Sequence, residues 1–309
     1  MSIFGFNQTH LANQLTDGKC NLIMDNIYRI IDEIEPKKRK FMRFPGGTVA
    51  NEYNVDIYGH TLAEAKSSKW QRYKINPIIP FIQASKVIGW EIMPVINVTD
   101  IYNGKVTFEK GMEQNLRMIK MFLDAGLKVP YVEIGNELNI WMNISGSKDY
   151  NRNPSEYSRE ILKYFDISTK AHKAIKKEFP LIKTAGVSAR NGLNARDNKW
   201  CSVFDKGEWN GIIIHHYEDN EDATKWLPNI TAMVEQAKAN GKELLLTEMN
   251  WRLGPSVTSL AYINNASKPS VGMYQENVWQ LCEKSGVDYM AYHRIHGTDA
   301  HAYNYLVIK

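Results

Sequence analysis

The stretch Gly211–Trp251, GIIIHHYEDNEDATKWLPNITAMVEQAKANGKELLLTEMNW, decides the fold. Two apolar triplets, Ile212-Ile213-Ile214 and Leu244-Leu245-Leu246, flank a longer segment that reads as a helix over Thr224–Ala239. An apolar run without alternation suits a parallel strand that is covered on both faces. Strand, helix, strand in that order is a right-handed crossover unit of a parallel sheet. Each triplet also runs out into polar and aromatic residues: His215-His216-Tyr217-Glu218 after the first, Thr247-Glu248-Met249-Asn250-Trp251 after the second.

Working outward, the same alternation recurs along the whole chain. The candidate strands are Ser2–Phe6, Phe41–Phe44, Glu91–Val98, Tyr131–Ile134, Lys183–Val187, Gly211–His215, Glu243–Thr247 and Asp288–His293. Leu22, Ile23, Ile27, Ile30, Ile31 and Ile34 form one apolar stripe at helical spacing. Asn153-Pro154-Ser155-Glu156 reads as a helix start, with Asn at the cap and Pro at the first position, and Pro180 ends that helix after Phe179. Further helical stretches fall near Pro77–Val87, Met112–Ala125 and Tyr274–Lys284, with a short one near Asn198–Lys206. Eight such units in 309 residues predict a single-domain (β/α)8 TIM barrel spanning 1–309. No Gly-x-Gly-x-x-Gly or Walker-type loop follows the first strand, which removes the reason to prefer an open nucleotide-binding sheet. After the eighth strand only Ile295–Lys309 remain, so a shortened or absent last helix is expected.

Composition bounds the function classes. The chain is 43% hydrophobic and 23% charged with a net charge of +4, an ordinary globular balance. Its one basic run, Pro36-Lys37-Lys38-Arg39-Lys40, lacks interleaved aromatics and reads as a solvated helix end or loop, so no nucleic-acid partner is expected. Cys20, Cys201 and Cys282 are widely spaced and odd in number, with neither a disulfide framework nor metal-ligand spacing. The N-terminus MSIFGFNQTH has no basic segment leading into an apolar run. These features predict a cytoplasmic protein without a membrane span.

In a barrel of this kind the chemistry sits at the C-terminal strand ends. Those ends read Arg43-Phe44-Pro45-Gly46-Gly47-Thr48, Asn97-Val98-Thr99-Asp100, Gly135-Asn136-Glu137, His215-His216-Tyr217, Thr247-Glu248 and Tyr292-His293-Arg294. Glu137 follows strand four and Glu248 follows strand seven, which face each other across an eight-stranded barrel. A pair of carboxylates is what glycoside hydrolysis needs: one protonates the leaving oxygen, and the other attacks the anomeric carbon or activates water. The competing reading is two unrelated glutamates in surface loops.

Arg43-Phe44-Pro45-Gly46-Gly47, Ile96-Asn97-Val98-Thr99, Ile134-Gly135-Asn136-Glu137, His215-His216-Tyr217 and Glu248 together resemble the clan A glycoside hydrolases, the retaining "4/7" TIM barrels. The arabinofuranosidase, β-xylosidase and heparanase-like branches are nearest in look. The resemblance implies a retaining glycosidase with Glu137 as acid/base and Glu248 as nucleophile. It implies Asn136 on the sugar 2-hydroxyl, Arg43 beneath Glu248, Tyr217 on the nucleophile, and Asn97 among the substrate-binding residues. His215 shares a strand face with Tyr217 while His216 lies on the other, so His215 is favoured for the pocket and His216 is kept as a candidate. Trp251 and Trp141 are candidate sugar platforms, and His293 a candidate pocket wall.

No metal or organic cofactor is expected, and the partner is an oligo- or polysaccharide. Two departures bear on substrate choice: no accessory β-sandwich of the kind found in related branches is expected, and Tyr292-His293-Arg294 stands where many clan members place a Trp. Two other functions compete with the glycosidase. One is a barrel that binds carbohydrate without cleaving it, which would be expected to have lost one of the carboxylates, Arg43 or Asn136. The other is a metal-dependent hydrolase built on His215, His216 and His293, disfavoured because no His-x-His follows strand one.

Overall fold

The apolar runs do form strands, and the strands close on themselves. In a computed structural model, which describes residues 3–7, 39–56, 78–140, 142, 153–188, 195–218, 223–251 and 280–292, eight parallel strands pair in sequence order into a closed barrel. They are β1 (Ile3–Asn7), β2 (Lys40–Phe44), β3 (Glu91–Ile96), β4 (Tyr131–Ile134), β5 (Lys183–Val187), β6 (Gly211–Glu218), β7 (Glu243–Trp251) and β8 (Tyr289–Tyr292). Pairing of β1 with both β2 and β8 completes the ring.

Six helices connect the described strands: α1 (Ile78–Ile88), α2 (Thr99–Tyr102), α3 (Phe108–Asp124), α4 (Pro154–Glu178), α5 (Ala195–Phe204) and α6 (Ala223–Ala239). Residues 280–285 are also helical. Among the described residues no helix is long and apolar enough to cross a membrane. The expected helix over Leu22–Ile34 and the expected closing segment lie outside the described residues.

Local chemistry accounts for the element ends. Thr107 caps α3 by accepting a hydrogen bond from Lys110 N–H at 3.2 Å. Asn153 holds the cap position of α4, but its amide bonds the Glu156 carboxylate rather than a backbone N–H, and Pro154 supplies the helical φ. The predicted strand Glu91–Val98 is shorter than expected. Its chain turns into α2 because Asn97 Oδ1 accepts from Asp100 N–H at 3.1 Å and so diverts the backbone.

Two apolar layers hold the barrel. Outside the sheet, Ile212, Ile214, Leu244 and Leu246 are all buried in the core that includes Ile230, Val234 and Ala237 of α6. Inside, at the N-terminal end, Tyr289 stacks edge-on against Phe41 at 5.7 Å and Tyr131 at 5.3 Å, plugging the barrel floor. The same strands then carry Arg43 and Glu133 two residues further on, on the same inward faces. The barrel interior is therefore apolar below and charged above.

Strands β6 and β7 run further than their apolar cores predict. They pair in register up to Ile214↔Leu246, then continue as His215↔Glu248, Tyr217↔Asn250 and Glu218↔Trp251. Thr247 is the extra residue, so β7 carries a β-bulge that sets two consecutive residues against His215.

Candidate functional site

Arg43 is the hub of the barrel mouth. It is fully buried, and a buried guanidinium is tolerable only with partners on its donors. Its Nε donates to both Glu133 oxygens at 2.9 and 2.8 Å, reaching from β2 to β4. Nη1 donates to Glu248 Oε1 on β7 at 2.6 Å, and Nη2 to Asn136 Oδ1 at 2.8 Å. Burial by itself lowers Arg43's hold on its proton, but Glu133 and then Glu248 more than offset it, so its pKa lies above the ordinary guanidinium value.

Glu137 reaches the same place from the turn after β4. Gly135 (φ +84°) and Glu137 (φ +47°) both adopt left-handed backbone there, and a Cβ on Gly135 would meet the Leu138 side chain at 2.5 Å. Left-handed conformation at a non-glycine residue is costly and is held in place by the surrounding structure. The turn leaves Asn136 fully buried and the Glu137 side chain 24% exposed.

His215 joins the two carboxylates. Its Nδ1 lies 3.2 Å from Glu137 Oε1 and 3.6 Å from Glu248 Oε2. Its Nε2 lies 3.3 Å from Thr247 Oγ1. The bulge makes this possible, because Thr247 and Glu248 both face the ring. Polar donor atoms of Glu137, His215 and Glu248 all lie within 4.8 Å of one another. One buried donor here lacks a protein partner: Asn136 Nδ2 has no hydrogen bond among the described residues.

The structure thus brings together Arg43, Asn136, Glu137, His215 and Glu248. It does not bring His216 to them. By strand parity His216 points out of the barrel, where it is buried with its ring 5.6 Å from Trp226 of α6. Asn97 is likewise turned to the loop: its amide donates to Asp100 Oδ2 at 2.8 Å and to the Tyr53 carbonyl at 3.3 Å, which stabilises the β3–α2 turn. Tyr217 and Trp251 lie on β6 and β7, but their side chains, like Trp141 and His293, fall outside the described residues.

Glu133 is the residue that sequence reasoning passed over. The signal was present, since an acid inside the four-residue strand Tyr131-Val132-Glu133-Ile134 has no solvent face to use.

No protein-family model matches the sequence, and no curated protein matches it either. Solved structures do resemble the fold. An α-L-arabinofuranosidase from Thermotoga maritima superposes with a TM-score of 0.59 at 16% identity, over 98% of this chain and 69% of that one. A family 51 α-L-arabinofuranosidase from Bifidobacterium longum gives 0.61 at 12% identity, over 98% and 71%. A fungal β-1,4-galactanase gives 0.55 at 16% identity, over 94% and 88%. At such identities the likeness is one of fold.

Proposed function

We propose that this protein is a retaining glycoside hydrolase that cleaves O-glycosidic bonds of oligo- or polysaccharides by double displacement. The observation that carries the reading is the unequal setting of two close carboxylates on facing strands. Glu137 and Glu248 present oxygens within 4.8 Å of each other, in keeping with the carboxyl separation of about 5–5.5 Å that retention uses, against about 6.5–9.5 Å for inversion. Arg43 pairs with Glu248 and not with Glu137. The guanidinium favours the ionised form of Glu248, which suits a nucleophile, while Glu137 stands at the open side, where a leaving group and then water arrive.

In the first step a Glu248 oxygen attacks the anomeric carbon as the glycosidic C–O bond breaks, and Glu137 gives its proton to the departing oxygen. In the second, Glu137 takes a proton from water as that water attacks the same carbon and releases Glu248. The Asn136 amide supplies a donor for the sugar 2-hydroxyl, an interaction that strengthens as the oxocarbenium-like transition state forms.

The test is a panel of aryl glycosides that includes furanosides and uronides, with NMR of the first-formed anomer. Hydrolysis with retained configuration is the expected result. A first product of inverted configuration would overturn the mechanism, and binding of sugars without any cleavage would favour a carbohydrate-binding barrel.

A further inference from the structure

Three donor atoms at the barrel mouth stand close to where the ligands of a metal ion stand. Around a tetrahedral zinc ion with bonds of about 2.0–2.2 Å, neighbouring ligand atoms lie about 3.3–3.6 Å apart. Here His215 Nδ1 is 3.2 Å from Glu137 Oε1 and 3.6 Å from Glu248 Oε2. Two edges of the ligand triangle therefore already have tetrahedral length, and the third is within 4.8 Å.

The imidazole is set for the role from behind. Histidine ligands generally donate their other ring N–H to an acceptor, which fixes the tautomer and the ring plane. Thr247 Oγ1, 3.3 Å from Nε2, is placed to accept it. With Nε2 protonated, the Nδ1 lone pair faces both carboxylates.

Charge favours a cation as well. Glu133 and Glu248 both pair with Arg43 while Glu137 stands beside His215, so among the described residues the cluster offers three carboxylates to one guanidinium. Arg43 bonds Oε1 of Glu248, whereas the oxygen nearest His215 is Oε2. Glu137 and His215 also border a small crevice with Asn139, Ile140, Val187 and Ser188. Two carboxylate oxygens and one imidazole suit zinc or a similar transition ion; magnesium and calcium require more oxygen ligands.

We propose that Glu137, His215 and Glu248 form a binding site for one Zn2+ ion. Bound there, the ion engages both carboxylates and excludes a sugar from them. That inhibitory consequence rests on the glycoside hydrolase reading; the binding itself does not.

Calorimetric titration of the metal-stripped protein with Zn2+ at about pH 7, where the ligands are largely deprotonated, tests the site. One saturable equivalent is expected, with no heat from Mg2+. Co2+ is expected to give the visible absorption of a low-coordinate nitrogen–oxygen site. Both signals should be lost in His215→Gln and in Glu137→Gln, and kept in Asp205→Asn, whose carboxylate lies at the C-terminal end of α5. Far-UV circular dichroism checks folding; Glu137, being partly exposed, gives the variant that decides if His215→Gln does not fold.

The proposal is overturned if the wild type takes up no saturable Zn2+, or if folded Glu137→Gln binds it as the wild type does. Zinc uptake without any glycoside hydrolysis would leave the site standing and remove the hydrolase reading. Hydrolysis unaffected by Zn2+, with no uptake, would remove the site alone.

Discussion

Arg43 Nη1 lies 2.6 Å from Glu248 Oε1, and both groups are almost completely shielded from solvent. The pair links β2 to β7 across the barrel interior and is completed by Glu133, which accepts two hydrogen bonds from Arg43 Nε. A single positive charge thus holds one proposed catalytic carboxylate from beneath while a second, purely buried carboxylate holds it in turn. Several consequences can be measured.

Glu248→Ala should abolish turnover of every glycoside that the wild type cleaves. Added azide should then restore part of the activity and yield a glycosyl azide of inverted configuration. Turnover at the wild-type rate in this variant would end the nucleophile assignment.

Glu137→Ala should fall by about 10²- to 10⁴-fold on substrates with poor leaving groups, the usual worth of a general acid. Dinitrophenyl glycosides, which need no protonation to leave, should still form the glycosyl-enzyme and show a burst. An equal loss on both substrate types would contradict the acid role.

Glu133→Gln removes one of the two charge partners of a guanidinium that has no access to water, leaving Glu248 as the other. Breaking a buried ion pair on one side costs about 3–5 kcal/mol, so with Glu248 still in place urea unfolding should show a loss toward the lower end of that range. With its anchor weakened Arg43 also gains freedom to shift, and kcat should fall even under conditions where the variant is fully folded. A stability within 0.5 kcal/mol of the wild type, about the scatter of ordinary surface substitutions, would show that Glu133 is not the anchor.

Asp205, at the C-terminal end of α5, is 6% exposed, and burial pushes its carboxyl up to about 6, opposed by Ser188 and Lys242. The folded state therefore holds this proton more tightly than the unfolded chain does. Its contribution is fully present below about pH 4, the unfolded value, and is lost as pH rises through about 6. At about 1.4 kcal/mol per tenfold change in proton affinity, the swing is about 3 kcal/mol. Asp205→Asn should lack it, so the stability difference between variant and wild type should move in the variant's favour between pH 4 and pH 8. A pH-independent difference would refute the shift.

Much of the fold was readable because short runs of strand formers alternate with longer amphipathic stretches along the chain. Tyr131–Ile134 and Lys183–Val187 have the predicted bounds. The extensions of β6 and β7 were not readable, since His216–Glu218 and Glu248–Trp251 are strands by their pairing across the sheet rather than by their composition. Parity along β6 already set His216 on the outward face, and there it lies beside Trp226. Asn97 shows a different limit: it is a polar residue at a strand end, but a local turn claims it. Arg43 and Glu133 illustrate a third: each looks like an isolated charge in its own strand, and their pairing exists only once the sheet has closed.

The bulge in β7 has a meaning for how much chemistry a barrel mouth can carry. A regular strand presents alternate side chains inward, so eight strands offer a limited number of positions at any one height. By doubling up at Thr247 and Glu248, β7 delivers a neutral hydroxyl and a carboxylate to opposite nitrogens of one imidazole. The hydroxyl can therefore vary without displacing any acid. Substitutions at Thr247, such as Ser, Val or Asn, offer a dial on His215 that natural variation or a designer could turn one atom at a time.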